Sequence, residues 1–254
     1  MTDRRSTPDP TLARGSAPAS LVCPLADLRR SPDGARDRQL LLGDKVIILG
    51  RSGSYDYVRA CKDGYHGFVA RQALGPPHAV THRISAASSH VYAGADIKSP
   101  DLAALSFGSG VMAIRETDDF IETDLGHIPK QHVCAADSVA NDPADVALLY
   151  LGTPYLWGGN SRWGIDCSGL VQAALLACGV PCPGDSDQQQ AAFTPETGAG
   201  QRGDLLFWKG HVAMLLDDSH LIHANAFHMQ TVIESVQSAV DRIADPVLAH
   251  LRPR

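Results

Sequence analysis

The sequence predicts two small all-β barrels, over residues 21–78 and 79–138, followed by an α+β domain over residues 139–254. Short β-like runs separated by turn residues fill the chain up to about residue 136, and their pattern recurs once within that stretch. After about residue 139 the texture changes to amphipathic helices followed by apolar strands, the order of an α+β domain. With 254 residues, 44% of them apolar and 20% charged, the chain is long enough for more than one core.

Residues 1–20 hold Arg4, Arg5 and three prolines but no apolar run, and are expected to form a disordered leader. The first barrel is drawn from the runs Leu21–Leu28, Lys45–Gly50, Tyr55–Cys61 and Gly67–Ala70. Pro32-Asp33-Gly34, Gly43-Asp44 and Asp63-Gly64 mark turns between them. The repeat is visible where Leu40–Ile48 parallels Leu105–Ala113, Tyr57-Val58 parallels Phe120-Ile121, and Gly64–Val69 parallels Gly126–Pro129. Gly75-Pro76-Pro77-His78 connects the copies, since paired prolines stop both helix and inner strand.

In the third segment Asp142 and Pro143 start a helix, Val146, Leu148, Leu149 and Leu151 give it an apolar face, and Gly152 closes it. A second helix runs from Cys167 to Cys178 with Leu170, Val171, Ala174 and Leu175 on one face and Gly179 beyond its end. Strands follow at Asp204–Trp208, His211–Leu216 and Leu221–Ala224.

A formal charge of −6 offers no basic footprint, so neither nucleic acid nor an anionic membrane surface is an expected partner. No signal-peptide core is present in the first twenty residues and no apolar run approaches the roughly 20 residues of a membrane span. A cytoplasmic location is expected, with all of the six cysteines reduced. Cys178 and Cys182 lack a second close Cys/His pair of zinc-like spacing, so no metal is expected.

Asp166-Cys167-Ser168-Gly169 sits at a loop-to-helix junction, which places the Cys167 sulfur at the positive end of a helix dipole and favours the reactive thiolate. A neighbouring imidazole would supply the general base and then the general acid of acyl transfer. His211 is the candidate, because it opens an apolar strand directly after the turn Lys209-Gly210. Facing residues of a hairpin have a constant sum, and pairing His211 with His223 centres the turn on Asp217, within Asp217-Asp218-Ser219. His223 would then hold the His211 tautomer.

Five blocks of this sequence resemble the NlpC family of bacterial cell-wall cysteine peptidases, in family order and spacing. They are Thr153–Ser161, Gly164–Val171, Gly203–Trp208, His211–Met214 and Leu221–Ala224. The resemblance implies a papain-like catalytic domain with Cys167 as nucleophile, His211 as base and His223 as third member. The two upstream copies resemble bacterial SH3-like barrels, through the strand after a Leu-Gly or Phe-Gly turn and the stretch Gly64–Val69.

Barrels ahead of the catalytic domain, without an export signal, are similar to the γ-D-glutamyl-L-diamino acid endopeptidase subgroup. That similarity implies hydrolysis of murein stem peptides bearing a free N-terminal L-Ala, in cell-wall recycling, with no cofactor. In this reading Asp166 and Ser168 bind the peptide amine, Tyr65 closes the amine pocket, Tyr155 stands near the oxyanion site, and Trp157 is a further substrate-binding residue. Asp166 equally suits a helix cap, and residues alone leave both uses open. Ser186, Asp187 and Gln188 are candidate pocket residues, while Gly184 stands where relatives often carry arginine. The same site also suits an amidase or acyltransferase, and the barrels suit an inactive module that binds peptidoglycan fragments.

Overall fold

Pro24 has no amide hydrogen to give a sheet, and the run Leu21–Leu28 accordingly breaks around it into the strands Ala17–Leu21 and Leu25–Arg29. The computed structural model describes residues 3–253, and these fall into two units divided between Ser138 and Val139.

The first unit holds both barrels. Its first sheet is ordered Arg36–Leu41, Leu25–Arg29, His66–Ala70, Tyr55–Ala60, Lys45–Ser52, Ala17–Leu21, Leu74–Gly75, with antiparallel pairings throughout. The second copy has the sheet Asp101–Ser106, Ser88–Tyr92, Gly126–Pro129, Phe120–Thr123, Ala113–Glu116 and the sheet Gly110–Val111, His82–Ile84, Val133–Ala135. Laid end to end, these repeat the first order strand for strand. The difference is that the counterpart of Lys45–Ser52 is cut in two at Met112. In both copies a 3-10 turn, Arg71–Ala73 or Lys130–His132, precedes the last strand.

Leu21, Leu28, Leu40, Val46, Val58, Tyr65 and Val69 fill the first core. Ile84, Val91, Leu105, Val111 and Ile128 fill the second, and Leu42 from the first barrel's turn is buried among them. Gly110 N–H donates to the Leu42 carbonyl at 2.8 Å, fastening the same junction.

The leader departs from expectation. Ala17–Ser20 are strand residues, and the segment ahead of them is folded onto the barrel. Asp3 and Asp9 carbonyls accept the amides of Ser6, Thr7, Leu12 and Ala13, forming two local turns. The Arg5 carbonyl then takes the His66 amide at 2.8 Å, Asp9 N–H donates to the Tyr57 hydroxyl at 3.0 Å, and Arg14 and Gly15 amides share the Leu49 carbonyl. A Cβ on Gly50 would lie 2.1 Å from the Leu12 carbonyl oxygen, so glycine there permits the close pass of the leader. Composition missed this segment because backbone groups and Asx turns dock it, with little apolar burial.

In the second unit Asp142 caps helix α1 (Pro143–Leu148), its carboxylate accepting the Ala144 amide at 2.8 Å. The α-helix stops at Leu148, earlier than Gly152, because Leu149, Tyr150 and Leu151 switch to i to i−3 bonds. Helix α2 (Cys167–Ala177) buries Leu170, Val171, Ala174 and Leu175 against the strands His211–Leu215 and His220–Asn225. The antiparallel sheet is ordered Thr194–Pro195, Ala249–Arg252, Leu205–Trp208, His211–Leu215, His220–Asn225, Gln230–Ser235. Helix α3 (Ser186–Ala192) follows α2, and α4 (Val236–Arg242) follows the last sheet-edge strand. Among the described residues no helix is long and apolar enough to cross a membrane.

Candidate active site

Asp166 is the N-cap of α2 and Cys167 its first residue. The Asp166 carboxylate accepts the Gly169 amide at 2.7 Å and the Ser168 hydroxyl at 3.2 Å on one oxygen, and the Gly158 amide at 2.8 Å on the other. It therefore caps the helix and ties it to the 153–161 loop. A Cβ at Gly169 would meet the Gly159 carbonyl oxygen at 2.5 Å, so the helix can press against that loop because residue 169 has no side chain.

The Cys167 thiol is buried and accepts from the backbone amides of Val212, Ser168 and Cys167 itself. Val212 follows His211 at the start of its strand, so the residue next to His211 in the chain reaches the sulfur at the first turn of α2. Burial pushes the thiol up to about 12, and the Asp166 carboxylate adds to that rise, outweighing the three amides that lower it. These effects oppose the pull toward a thiolate expected from the helix terminus. Helix-terminus donors are present, but desolvation and an adjoining negative charge are the larger effects.

His211 and His223 meet as a pair. The observed pairings Met214 with Ile222 and Leu215 with Leu221 sum to 436, so the turn centres on Asp218, one residue beyond the expected centre. The histidines are therefore diagonal neighbours. An even change in the sum leaves them on one face of the sheet. Their rings are 5.0 Å apart and tilted by 58°, with His211 Nε2 2.9 Å from His223 Nδ1. Burial first, then the charges of His223 and Arg242, holds His211 down to about 3, against an opposing pull from Glu234. Burial, then Arg242 and His228, holds His223 down to about 3. Near neutrality both rings are uncharged.

Tyr155 is half-buried, its backbone amide bonded to the Met229 carbonyl. Burial, followed by the Cys167 and Asp166 charges, raises its phenol above the ordinary tyrosine value and keeps it protonated beside them. Ser168 is buried, whereas Trp157 is 70% exposed on the loop whose next residue, Gly158, binds Asp166. Ser186 and Gln188 are partly buried and Asp187 is exposed on the first turn of α3. The α3 residue that reaches α2 is Gln189. Its amide donates to the carbonyls of Ser168 and Pro183, both at 2.9 Å. Tyr65 belongs to the other unit, where its ring is part of the first barrel core and its amide donates to Asp63.

Two further residues stand behind His223. It pairs with Val232, so Glu234, two residues on, shares its face of the sheet. Glu234 Oε1 lies 2.8 Å from His223 Nε2, and Arg242 of α4 pairs with that same oxygen. His223, His228 and Glu234 each present a ligand atom within 4.8 Å of the others. The Arg242 guanidinium already neutralises the carboxylate of this set and competes with a metal ion for it. None of the six cysteines is joined in a disulfide.

Residues 152–242 match the model of the NlpC/P60 family, and residues 28–74 that of the bacterial dipeptidyl-peptidase Sh3 domain. Over 97 residues the chain is 38% identical to dipeptidyl-peptidase 6 of Lysinibacillus sphaericus, covering 37% of this chain and 36% of that protein. Over 222 residues it is 27% identical to the gamma-D-glutamyl-L-lysine dipeptidyl-peptidase of Bacillus subtilis, covering 76% of this chain and 73% of that one. A third relative, the gamma-D-glutamyl-L-lysine dipeptidyl-peptidase of Bacillus cereus, is matched over 28% of its length, so the chain spans about a third of this relative and of the Lysinibacillus sphaericus one. The crystal structure of an NlpC/P60 family protein from Bacillus cereus superposes with a TM-score of 0.79 at 19% identity, over 93% of this chain and 99% of that one, a likeness of fold. Residues 152–242 are thus an NlpC/P60 domain, and residues 28–74 a bacterial dipeptidyl-peptidase Sh3 domain.

Proposed function

We propose that the protein is a cysteine endopeptidase that hydrolyses the bond between γ-D-Glu and the L-diamino acid of murein stem peptides whose N-terminal L-Ala is free. The observation that carries the reading is the Cys167 thiol at the start of α2, beside the strand whose His211 is bonded at 2.9 Å to His223. The name of the Bacillus subtilis relative, a gamma-D-glutamyl-L-lysine dipeptidyl-peptidase, supports the choice of bond.

In the proposed reaction the resting thiol is neutral, and His211 takes its proton as the sulfur attacks the γ-carbonyl carbon. The protonated Tyr155 phenol donates to the oxygen on which negative charge develops. As the tetrahedral adduct collapses, His211 returns the proton to the departing amine of the diamino acid, leaving an L-Ala-γ-D-Glu thioester on Cys167. Water, deprotonated by His211, then attacks the thioester, releases L-Ala-γ-D-Glu and restores the thiol. His223 keeps the His211 ring in place through both steps.

In this proposal the substrate ammonium approaches the Asp166 carboxylate and the Ser168 hydroxyl, with Trp157, Ser186, Asp187 and Gln188 forming further parts of the subsites. A desolvated ammonium–carboxylate pair discriminates strongly against blocked peptides. A cytoplasmic setting and a role in recycling wall fragments belong to the same proposal. The test is incubation with L-Ala-γ-D-Glu-meso-diaminopimelate and mass spectrometry of the products. Release of L-Ala-γ-D-Glu by the wild type and none by Cys167→Ala is expected. No release, or equal release by both, removes the proposal.

A further inference from the structure

We propose that Glu234 is a positioning residue for the cysteine–histidine chemistry, fixing the proton of His223 on Nε2 so that His211 presents an unprotonated Nδ1 to the thiol. The inference rests on the peptidase reading above, in that it concerns the same base.

The argument is one of donors and acceptors. His223 is wholly buried, and its Nε2 has no partner in line with its N–H direction. The acceptor beside that atom is Glu234 Oε1, at 2.8 Å and off the axis, near enough for a small side-chain rotation to complete the bond. An ionised carboxylate only accepts, and a neutral imidazole carries a single proton. With that proton on His223 Nε2, facing Glu234, His223 Nδ1 is an acceptor. The 2.9 Å contact with His211 is then an N–H donated by His211 Nε2. His211 Nδ1 is left with its lone pair, which is what a general base for a thiol requires. The opposite tautomer of His223 would set a lone pair against a carboxylate and force the proton of His211 onto the wrong nitrogen.

Register supplies Glu234 for this role. His223 faces Val232 across the hairpin, and the next residue on that face, Glu234, is a diagonal neighbour that a long side chain spans. Arg242, the last residue of α4, pairs with the same carboxylate oxygen, and its guanidinium carbon lies 4.7 Å from the centre of the Phe227 ring. That ion pair holds the Glu234 carboxylate in place beside His223, where its oxygen is an acceptor. The titratable and charged groups facing His223 are His211 from the adjoining strand, Glu234 from the other side, Arg242 from α4 and His228 from the intervening turn. His228 Nδ1 contacts Asn225 Oδ1 at 3.1 Å, and Glu234 is the carboxylate in the group.

The test begins on the intact wild-type chain with 15N-labelled histidine, reading the proton positions of His211 and His223 by NMR. Protonated Nε2 on both rings is expected, and a His223 proton on Nδ1 would overturn the proposal. Glu234→Gln keeps the shape without the charge, and Glu234→Ala removes the acceptor. For Glu234→Ala, kcat on the murein tripeptide should fall roughly tenfold or more with KM changed less than about twofold. His223 should shift to a mixture of tautomers and the pH profile of Cys167 alkylation should change shape. Glu234→Asp, an acceptor on a shorter arm, should restore part of the rate. Wild-type tautomers, kcat and alkylation profile in both Glu234→Gln and Glu234→Ala would overturn the proposal. If Glu234→Ala does not fold, Glu234→Gln and the wild-type spectrum decide. Absence of tripeptide cleavage by the wild type sinks the proposed substrate alone, since NMR and alkylation need no substrate.

Discussion

Replacing Asp166 by Asn keeps the size of the side chain and changes what it can accept. The carboxylate holds the Gly169 amide at 2.7 Å, the Gly158 amide at 2.8 Å and the Ser168 hydroxyl at 3.2 Å, all in a buried setting. An Asn side chain has a single acceptor oxygen. With that oxygen left on Gly169, where Asn caps a helix about as well as Asp, the amide nitrogen opposes the Gly158 N–H, donor against donor. A buried donor left without an acceptor costs about 1–3 kcal/mol, so the second unit should lose roughly 2 kcal/mol of stability. The same substitution removes the charge that, after burial, raises the Cys167 thiol, and thiol alkylation should therefore begin at lower pH than in the wild type. The three tryptophans, Trp157, Trp163 and Trp208, all lie in the second unit, so fluorescence during urea unfolding reads this unit alone. Iodoacetamide labelling of Cys167 across pH, followed by mass spectrometry, reads the thiol. An Asp166→Asn protein that unfolds at the wild-type urea concentration and alkylates with the wild-type pH profile would refute this account of the site.

Other expectations follow from the same geometry. His211 and His223 are held near 3 in the folded chain, below the ordinary imidazole value of 6.5, so between those values the unfolded chain binds more protons. Their contribution is complete above about pH 6.5 and is lost as pH falls toward 3; urea midpoints measured across that window should decline with acidification, less steeply in His223→Gln. Gln189→Ala leaves the Ser168 and Pro183 carbonyls without their shared donor. It should lower stability by about 1–2 kcal/mol, and a urea midpoint equal to the wild type would count against a bridging role. Deleting residues 1–14 uncovers the Tyr57 hydroxyl and the His66 amide, so limited proteolysis should open the first barrel sooner than in the full chain.

The helix carrying Cys167 was legible because its cap, its apolar face and Gly179 agree within one short segment. The two histidines were placed on one face by parity alone, even though the turn proved to centre on Asp218. Glu234 was not legible. Its place behind His223 depends on the register of a second hairpin, whose turn passes through Met229 at φ 53°, a conformation its sequence does not advertise. Gln189 escaped because it is the middle of three successive glutamines, and which of them faces inward on a seven-residue helix is decided by what the helix packs on. The upward push on the thiol was not legible, because a helix terminus is visible in sequence and desolvation is a property of the packed interior.

Leu42 gives the tandem barrels a shared fate. It is 6% exposed, sits in the turn of one barrel and occupies the core of the other. Cutting the chain at Gly75-Pro76-Pro77 would strand that leucine in water on one fragment and leave a hole in the other. Returning one such side chain to solvent costs about 1.5–3 kcal/mol, and the hole adds to it. The pair should then be inherited and expressed as one indivisible block, with neither half interchangeable with a stand-alone barrel of the same strand order.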